Sequence, residues 1–196
     1  TRVAHAKCRQ LLADAIAMGK TAPIESVVIG FSWYSYLTGN RDGDQMGELR
    51  PLLPVADAAL ENVRRMVEGF AGSGKKVYIM LNAPLNSGFA PRQMVQRTVF
   101  APGFKVNSAP AYKDRLLEAY EPCLARLRKI AEDNNAGLID PLGGLCPGGT
   151  CPSITKGDEP IYRDTYHLRK FYILESVGYI DPLILDADHG PMPGSR

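Results

Sequence analysis

What most constrains the fold of this chain is the alternation of short apolar runs with amphipathic stretches of helical period. "VAHAKCRQLLADAIAMG" (3–19) repeats its apolar residues at helical spacing, with Gly19 as a stop. "ESVVIGFSWYSYL" (25–37) opens as a β-branched, buried strand, and the polar, Gly-rich "TGNRDGDQMGELRP" (38–51) reads as a loop. A second amphipathic helix (55–71) leads into a second buried strand, "KVYIMLNAP" (76–84). The long irregular stretch that follows holds a short helix near 91–98; long loops in compact domains are often functional. A long helix, 111–136, carries Pro122 as a kink point, a third strand is expected at 136–141, and a last helix covers 168–185, weakened by Gly178 and stopped near Pro182.

Strands separated by helices pair in parallel through right-handed crossovers, with helices on both faces. The expectation is a three-layer α/β/α, flavodoxin-like parallel sheet in a single domain over 1–196, with 187–196 as a mobile tail. The functional site of such a sheet lies beyond the carboxyl ends of its strands, here Trp33–Tyr36, Asn82–Leu85 and Asp140–Leu142.

Composition excludes several classes. Apolar residues at 45% and charged residues at 22% are ordinary for a globular domain with a full core. A net charge of +2 with scattered Lys and Arg offers no nucleic-acid surface. No apolar run reaches the ~18 residues of a membrane helix. "GSGKK" (72–76) is not a phosphate loop, and no cofactor or metal is expected.

Chemistry concentrates in "PIYRDTYHLRK" (160–170). Histidine takes and returns a proton near neutrality, and a carboxylate that accepts a hydrogen bond from one ring nitrogen fixes its tautomer and stabilises the imidazolium. In a loop leading into a helix, Asp164 can hold His167 three residues on and can also serve as the helix N-cap. The plainer alternative is a surface Asp beside a structural His. Cys146 and Cys151 lie just upstream in "GGLCPGGTCPS", close enough for a disulfide, which is the favoured reading; two free thiols or a metal site with two further ligands are the alternatives. Cys8 and Cys123 sit on separate helical segments and could pair, stay buried and free, or pair elsewhere.

The stretch "CPGGTCPSITKGDEPIYRDTYHLRK" resembles the closing motif of SGNH hydrolases. It is most similar to the extracytoplasmic SGNH domain attached to the integral-membrane acyltransferases that O-acylate bacterial surface glycans. The residues that carry the resemblance are Cys146, Cys151, Tyr162, Arg163, Asp164, His167 and Leu168. "SVVIGFSWYSYLTG" (26–39), "KVYIMLNAPLNSGFAPRQMVQR" (76–97) and Cys8 fit the same family in order along nearly the whole chain. The resemblance implies an SGNH-type fold and Ser-His-Asp acyl or ester chemistry with Asp164 and His167 catalytic. It also implies an acylated donor, a carbohydrate acceptor, a membrane domain in the same full-length protein, and a periplasmic location tethered to the inner membrane.

The family's nucleophile is a Ser in a Gly-Asp-Ser motif after the first strand, and this sequence contains no Gly-Asp-Ser. The first strand and the nucleophile are therefore expected upstream of the chain. Ser32 in "GFSWY" fails the Gly-x-Ser-x-Gly elbow because Tyr34 stands at its fifth position, and no amphipathic helix is expected after it. Ser35 and Ser87 fit less well. His189 with Asp186 and Asp188 lies in the Gly/Pro-rich tail, and His5 has no acidic partner nearby. The family's oxyanion Asn is also absent from "GFSWYSY". Backbone N–H groups near Trp33 or the side chain of Asn82 are the stand-ins; Trp33 as a core aromatic, or sugar stacking on Trp33, Tyr34 or Tyr36, are the alternatives. Two rivals share the sequence: a free-standing esterase of the same fold, and a non-catalytic carbohydrate-binding module.

Overall fold

The structure, a computed structural model, describes residues 2–21, 23–40, 50–97, 104–106, 110–181 and 183, without the side chains of 2–9, 96, 97, 104 and 105. In chain order the elements are α1 (Arg2–Thr21), β1 (Ser26–Gly30), α2 (Trp33–Thr38), α3 (Ala56–Ala71), β2 (Lys76–Met80), α4 (Pro91–Met94), β3 (Val95–Arg97) and β4 (Phe104–Val106). They continue with β5 (Ala111–Tyr112), α5 (Lys113–Asp133), β6 (Gly137–Ile139), α6 (Pro141–Leu145), β7 (Thr150–Cys151) and α7 (Lys170–Ser176). The chain divides into two compact units.

The first unit comprises the described residues of Thr1–Gly39, Pro51–Leu81 and Pro122–Ile139. Its sheet has the order β1-β2-β6, all parallel, with Val27 beside Val77, Ile29 beside Ile79 and Met80 beside Ile139. This is the mixed α/β class expected, and all three anticipated strands are in the sheet. Ile29, Val77 and Ile79 share its buried face. Helix α3 packs on β2, α1 and α2, turning Leu60, Val63, Val67 and Phe70 inward at helical spacing. The carboxyl-terminal half of α5 buries Leu124, Leu127 and Ile130, and Pro122 lies inside that helix without ending it.

The aromatic run after β1 departs from expectation. The strand stops at Gly30, and Trp33–Thr38 is a helix, so a short helix does follow Ser32. Trp33, Tyr34 and Leu37 are all buried, an i, i+1, i+4 pattern that only a helical turn can place on one side. Thr38 Oγ1 donates to the Tyr34 carbonyl at 2.6 Å, and Gly39 ends the helix in the left-handed region (φ 75°).

The second unit comprises the described residues of Asn40–Arg50, Asn82–Glu121 and Asp140–Arg196. Two small antiparallel pairs, β3-β4 and β5-β7, lie in it; β5 takes Ala111 and Tyr112 from the start of the helix expected at 111–136, which begins at Lys113. The helix expected near 91–98 is the four-residue α4, because β-branched Val95 turns extended (φ −93°, ψ 114°) and starts β3. The last helix is also shorter than 168–185: Val177 is extended (φ −94°, ψ 100°), which ends α7 at Ser176, just before Gly178. Residues 41–49 of the anticipated loop, the tail 187–196 with His189 and Asp188, and the side chains of His5 and Cys8 lie outside the described residues.

Candidate active site

The site is built on a tight hairpin in the second unit. From β7 the chain continues through Ser153, whose carbonyl accepts from the Ile161 N–H at 2.9 Å, and the Ile161 carbonyl accepts from the Arg169 N–H at 2.8 Å. Tyr162 bridges antiparallel to Leu168, and the Arg163 N–H donates to the His167 carbonyl at 2.7 Å. Asp164 and His167 are therefore held within a closed hairpin. The N-cap position of α7 is Arg169, so the expectation that Asp164 caps the last helix is corrected.

Asp164 organises the hairpin tip with both carboxylate oxygens. Oδ1 accepts from the backbone N–H of Tyr166 at 3.1 Å and of His167 at 2.8 Å, while Oδ2 lies 2.7 Å from His167 Nδ1. This is an Asx-type turn, which short acidic side chains favour. Desolvation alone would raise the Asp164 pKa. The hydrogen bonds from the His167 backbone and ring and from the Tyr166 N–H outweigh it and hold the carboxyl below its ordinary value of 3.8. An ionised carboxylate only accepts, so Nδ1 carries the proton of the neutral ring. Nε2 then has the lone pair, and among the described residues no hydrogen-bond partner faces it. The His167 side chain is half-exposed, so a substrate hydroxyl can reach that nitrogen.

Two contacts fix the hairpin to its surroundings. Phe89 stacks on Tyr162 with ring centroids 4.2 Å apart and planes 9° from parallel. Both rings are buried, and desolvation, with Tyr172 and Tyr179 adding to it, pushes the Tyr162 hydroxyl pKa far up. The Asn86 N–H donates to the Thr165 carbonyl at 3.0 Å, joining the loop after β2 to the hairpin tip. That loop is held in turn by Tyr120 of α5, whose hydroxyl accepts from the Leu85 N–H at 3.1 Å and donates to the Ala83 carbonyl at 3.3 Å. The strand-end stretch Asn82–Leu85 was expected near the site; the parts played by Tyr120, Asn86 and Phe89 were not anticipated. A buried tyrosine does seek a hydrogen-bond partner, but which one depends on the fold.

Cys146 and Cys151 form a disulfide, with Cα atoms 4.0 Å apart. The residues between them explain the Pro-Gly-Gly-Thr sequence. Gly148 and Gly149 both take positive φ, 63° and 84°, which side chains disfavour. Cys151 pairs with Ala111 in the β5-β7 ladder, so the disulfide lies at the root of the strand that carries the hairpin. Cys123 is free and buried, and burial pushes its thiol pKa up to about 11.

The two oxyanion candidates fall in different units. Asn82 is buried (2% exposed) in the second unit, directly ahead of the Tyr120-anchored loop. Trp33 is 2% exposed in the first unit, and its Nε1–H is donated to the Met80 carbonyl at 2.7 Å. That is the core-aromatic placement. Of the three aromatics considered for sugar stacking, Trp33 and Tyr34 are buried and only Tyr36 is exposed. Ser32 is exposed, with its hydroxyl 3.1 Å from that of Ser35.

Among the described residues, no helix is long and apolar enough to cross a membrane, and no group of three or more His, Cys, Asp or Glu side chains could hold a metal ion. No curated protein and no solved structure matches the chain. A family model does, over residues 1–173; its description is "SGNH domain (fused to AT3 domains)". The parallel three-stranded sheet with its helices is consistent with the SGNH-type α/β/α fold. The fusion points to acyl-transfer or esterase-like chemistry in an extracytoplasmic domain of a membrane protein. The chain belongs to the SGNH-domain family, in the form that is fused to AT3 domains.

Proposed function

We propose that Asp164 and His167 are the acid–base half of a Ser-His-Asp acyl-transfer centre, with its nucleophilic Ser supplied by polypeptide outside this sequence. The acyl group passes from an acylated donor to a hydroxyl of a bacterial surface polysaccharide on the periplasmic side of the inner membrane. The observation that carries this reading is the geometry of Asp164. One oxygen is locked by two backbone N–H groups and the other is seated on His167 Nδ1, which leaves Nε2 as the basic nitrogen. A structural surface histidine has no need of a carboxylate fixed on both sides.

The chemistry runs in two balanced steps. Nε2 takes the proton of the Ser hydroxyl as its oxygen bonds to the donor's acyl carbon, and the imidazolium returns that proton to the leaving group. The acceptor hydroxyl then gives its proton to Nε2 as its oxygen bonds to the acyl carbon, and the departing Ser oxygen takes the proton back. Asp164 stays ionised throughout and stabilises the imidazolium. Asn82 is the side-chain candidate for the oxyanion, positioned by the loop that Tyr120 and Thr165 anchor.

The test is turnover of 4-nitrophenyl acetate by the full-length protein. His167→Ala is expected to lower kcat by a factor on the order of 10³ or more with the fold intact. Unchanged turnover in the variant would refute the assignment.

A further inference from the structure

Tyr166 stands between the two groups of the proposed centre and takes no part in the steps above. Its backbone N–H is fixed on Asp164 Oδ1. Its ring lies 4.0 Å, centroid to centroid, from the His167 ring at an interplanar angle of 41°. The side chain is nevertheless 39% exposed. Part of the ring is therefore against the imidazole, and the rest is open to solvent.

The acceptor imposes its own requirement. Its hydroxyl has to come within about 3 Å of Nε2, so the rest of the molecule must lie against the surface around the imidazole. Tyr166 is the aromatic ring in contact with that imidazole. The face of an aromatic ring is electron-rich and suits the weakly positive C–H face of a pyranose. Water presents no such face.

We propose that Tyr166 is the acceptor platform of this site. It stacks a pyranosyl ring, brings one of its hydroxyls to His167 Nε2, and so favours transfer to sugar over hydrolysis. The proposal rests on the acyl-transfer reading above. In the step concerned, the Ser oxygen–acyl carbon bond breaks and the sugar oxygen–acyl carbon bond forms. The sugar proton moves to Nε2 and then to the departing Ser oxygen.

The experiment uses the full-length protein with 4-nitrophenyl acetate as donor and methyl β-glucopyranoside as acceptor. It reads the nitrophenolate burst, which reports acylation, and the ratio of acetylated glycoside to free acetate, which reports acceptor choice. Tyr166→Ala is expected to lower that ratio about five- to tenfold, well beyond any fall in the burst, while Tyr166→Phe, which keeps the ring face, holds the wild-type ratio. The platform is overturned by an unchanged ratio in the Ala variant, by a Phe variant that falls as far as Ala, or by a wild type that yields acetate alone. A fall confined to the burst also overturns it, because the ring would then only be positioning His167. A wild type that releases nitrophenolate no faster than His167→Ala refutes the acyl-transfer reading itself, and the platform with it. The burst precedes the acceptor, so the two failures are told apart.

Discussion

The Asp164 carboxylate accepts three hydrogen bonds from its own hairpin tip, two from backbone and one from the imidazole. Their stabilisation of the charged form sets a sign for pH dependence. The folded value lies below 3.8, so the stability Asp164 contributes is fully present above about pH 4 and is lost as the pH falls through the lower folded value. Carboxyl-carbon NMR of the folded protein is expected to show an Asp164 midpoint below 3.8; a midpoint above it contradicts the hydrogen-bonded turn. Asp164→Asn lacks this contribution at every pH, so its difference in melting temperature from wild type should shrink in acid. The size is small, because the group is more than a third exposed and water screens it. The three-residue spacing of Asp164 and His167 was legible in the sequence, because it is local. The N-cap role expected for Asp164 was wrong for a non-local reason: the bridge from Tyr162 to Leu168 closes a hairpin before any helix begins.

At the scale of elements, the hairpin depends on neighbours distant in sequence. Tyr120 holds the loop after β2, and that loop donates to Thr165 through Asn86. Tyr120→Phe would leave the Leu85 N–H and the Ala83 carbonyl without this partner in a buried setting, at a cost of about 1–3 kcal/mol. Urea unfolding should show a lower midpoint at unchanged slope, and an unchanged midpoint would mean the hydroxyl anchors nothing. The parallel strands and their helices were readable because the strands are short β-branched apolar runs, and one-sided burial writes a helical period. β3, β4, β5 and β7 were not readable. Strands of two or three residues are too short to show an alternating pattern, and β5 and β7 pair across almost forty residues of chain. The aromatic run at Trp33 misled for a related reason, since its residues favour strands and packing made them a helix.

For the whole molecule, the fusion to AT3 domains and the Cys146–Cys151 disulfide both suit an oxidising compartment. Alkylation of intact cells followed by peptide mapping should leave the Cys146 and Cys151 peptides unlabelled until reductant is added. Cys123 should stay unlabelled until the protein is unfolded, since its thiol is buried and little of it is ionised at neutral pH. Labelling of Cys146 and Cys151 without reductant would argue against the periplasmic reading. The disulfide itself was legible from the spacing and the two glycines; the proposed nucleophilic Ser was not, because no Gly-Asp-Ser occurs in the sequence. The most direct test of the central claim is labelling of the full-length protein with a fluorophosphonate probe, followed by peptide mapping. The account predicts one labelled Ser outside residues 1–196, with the rate of labelling reduced about a hundredfold or more by His167→Ala. A labelled Ser within this sequence, such as Ser32, or labelling indifferent to His167 would contradict it.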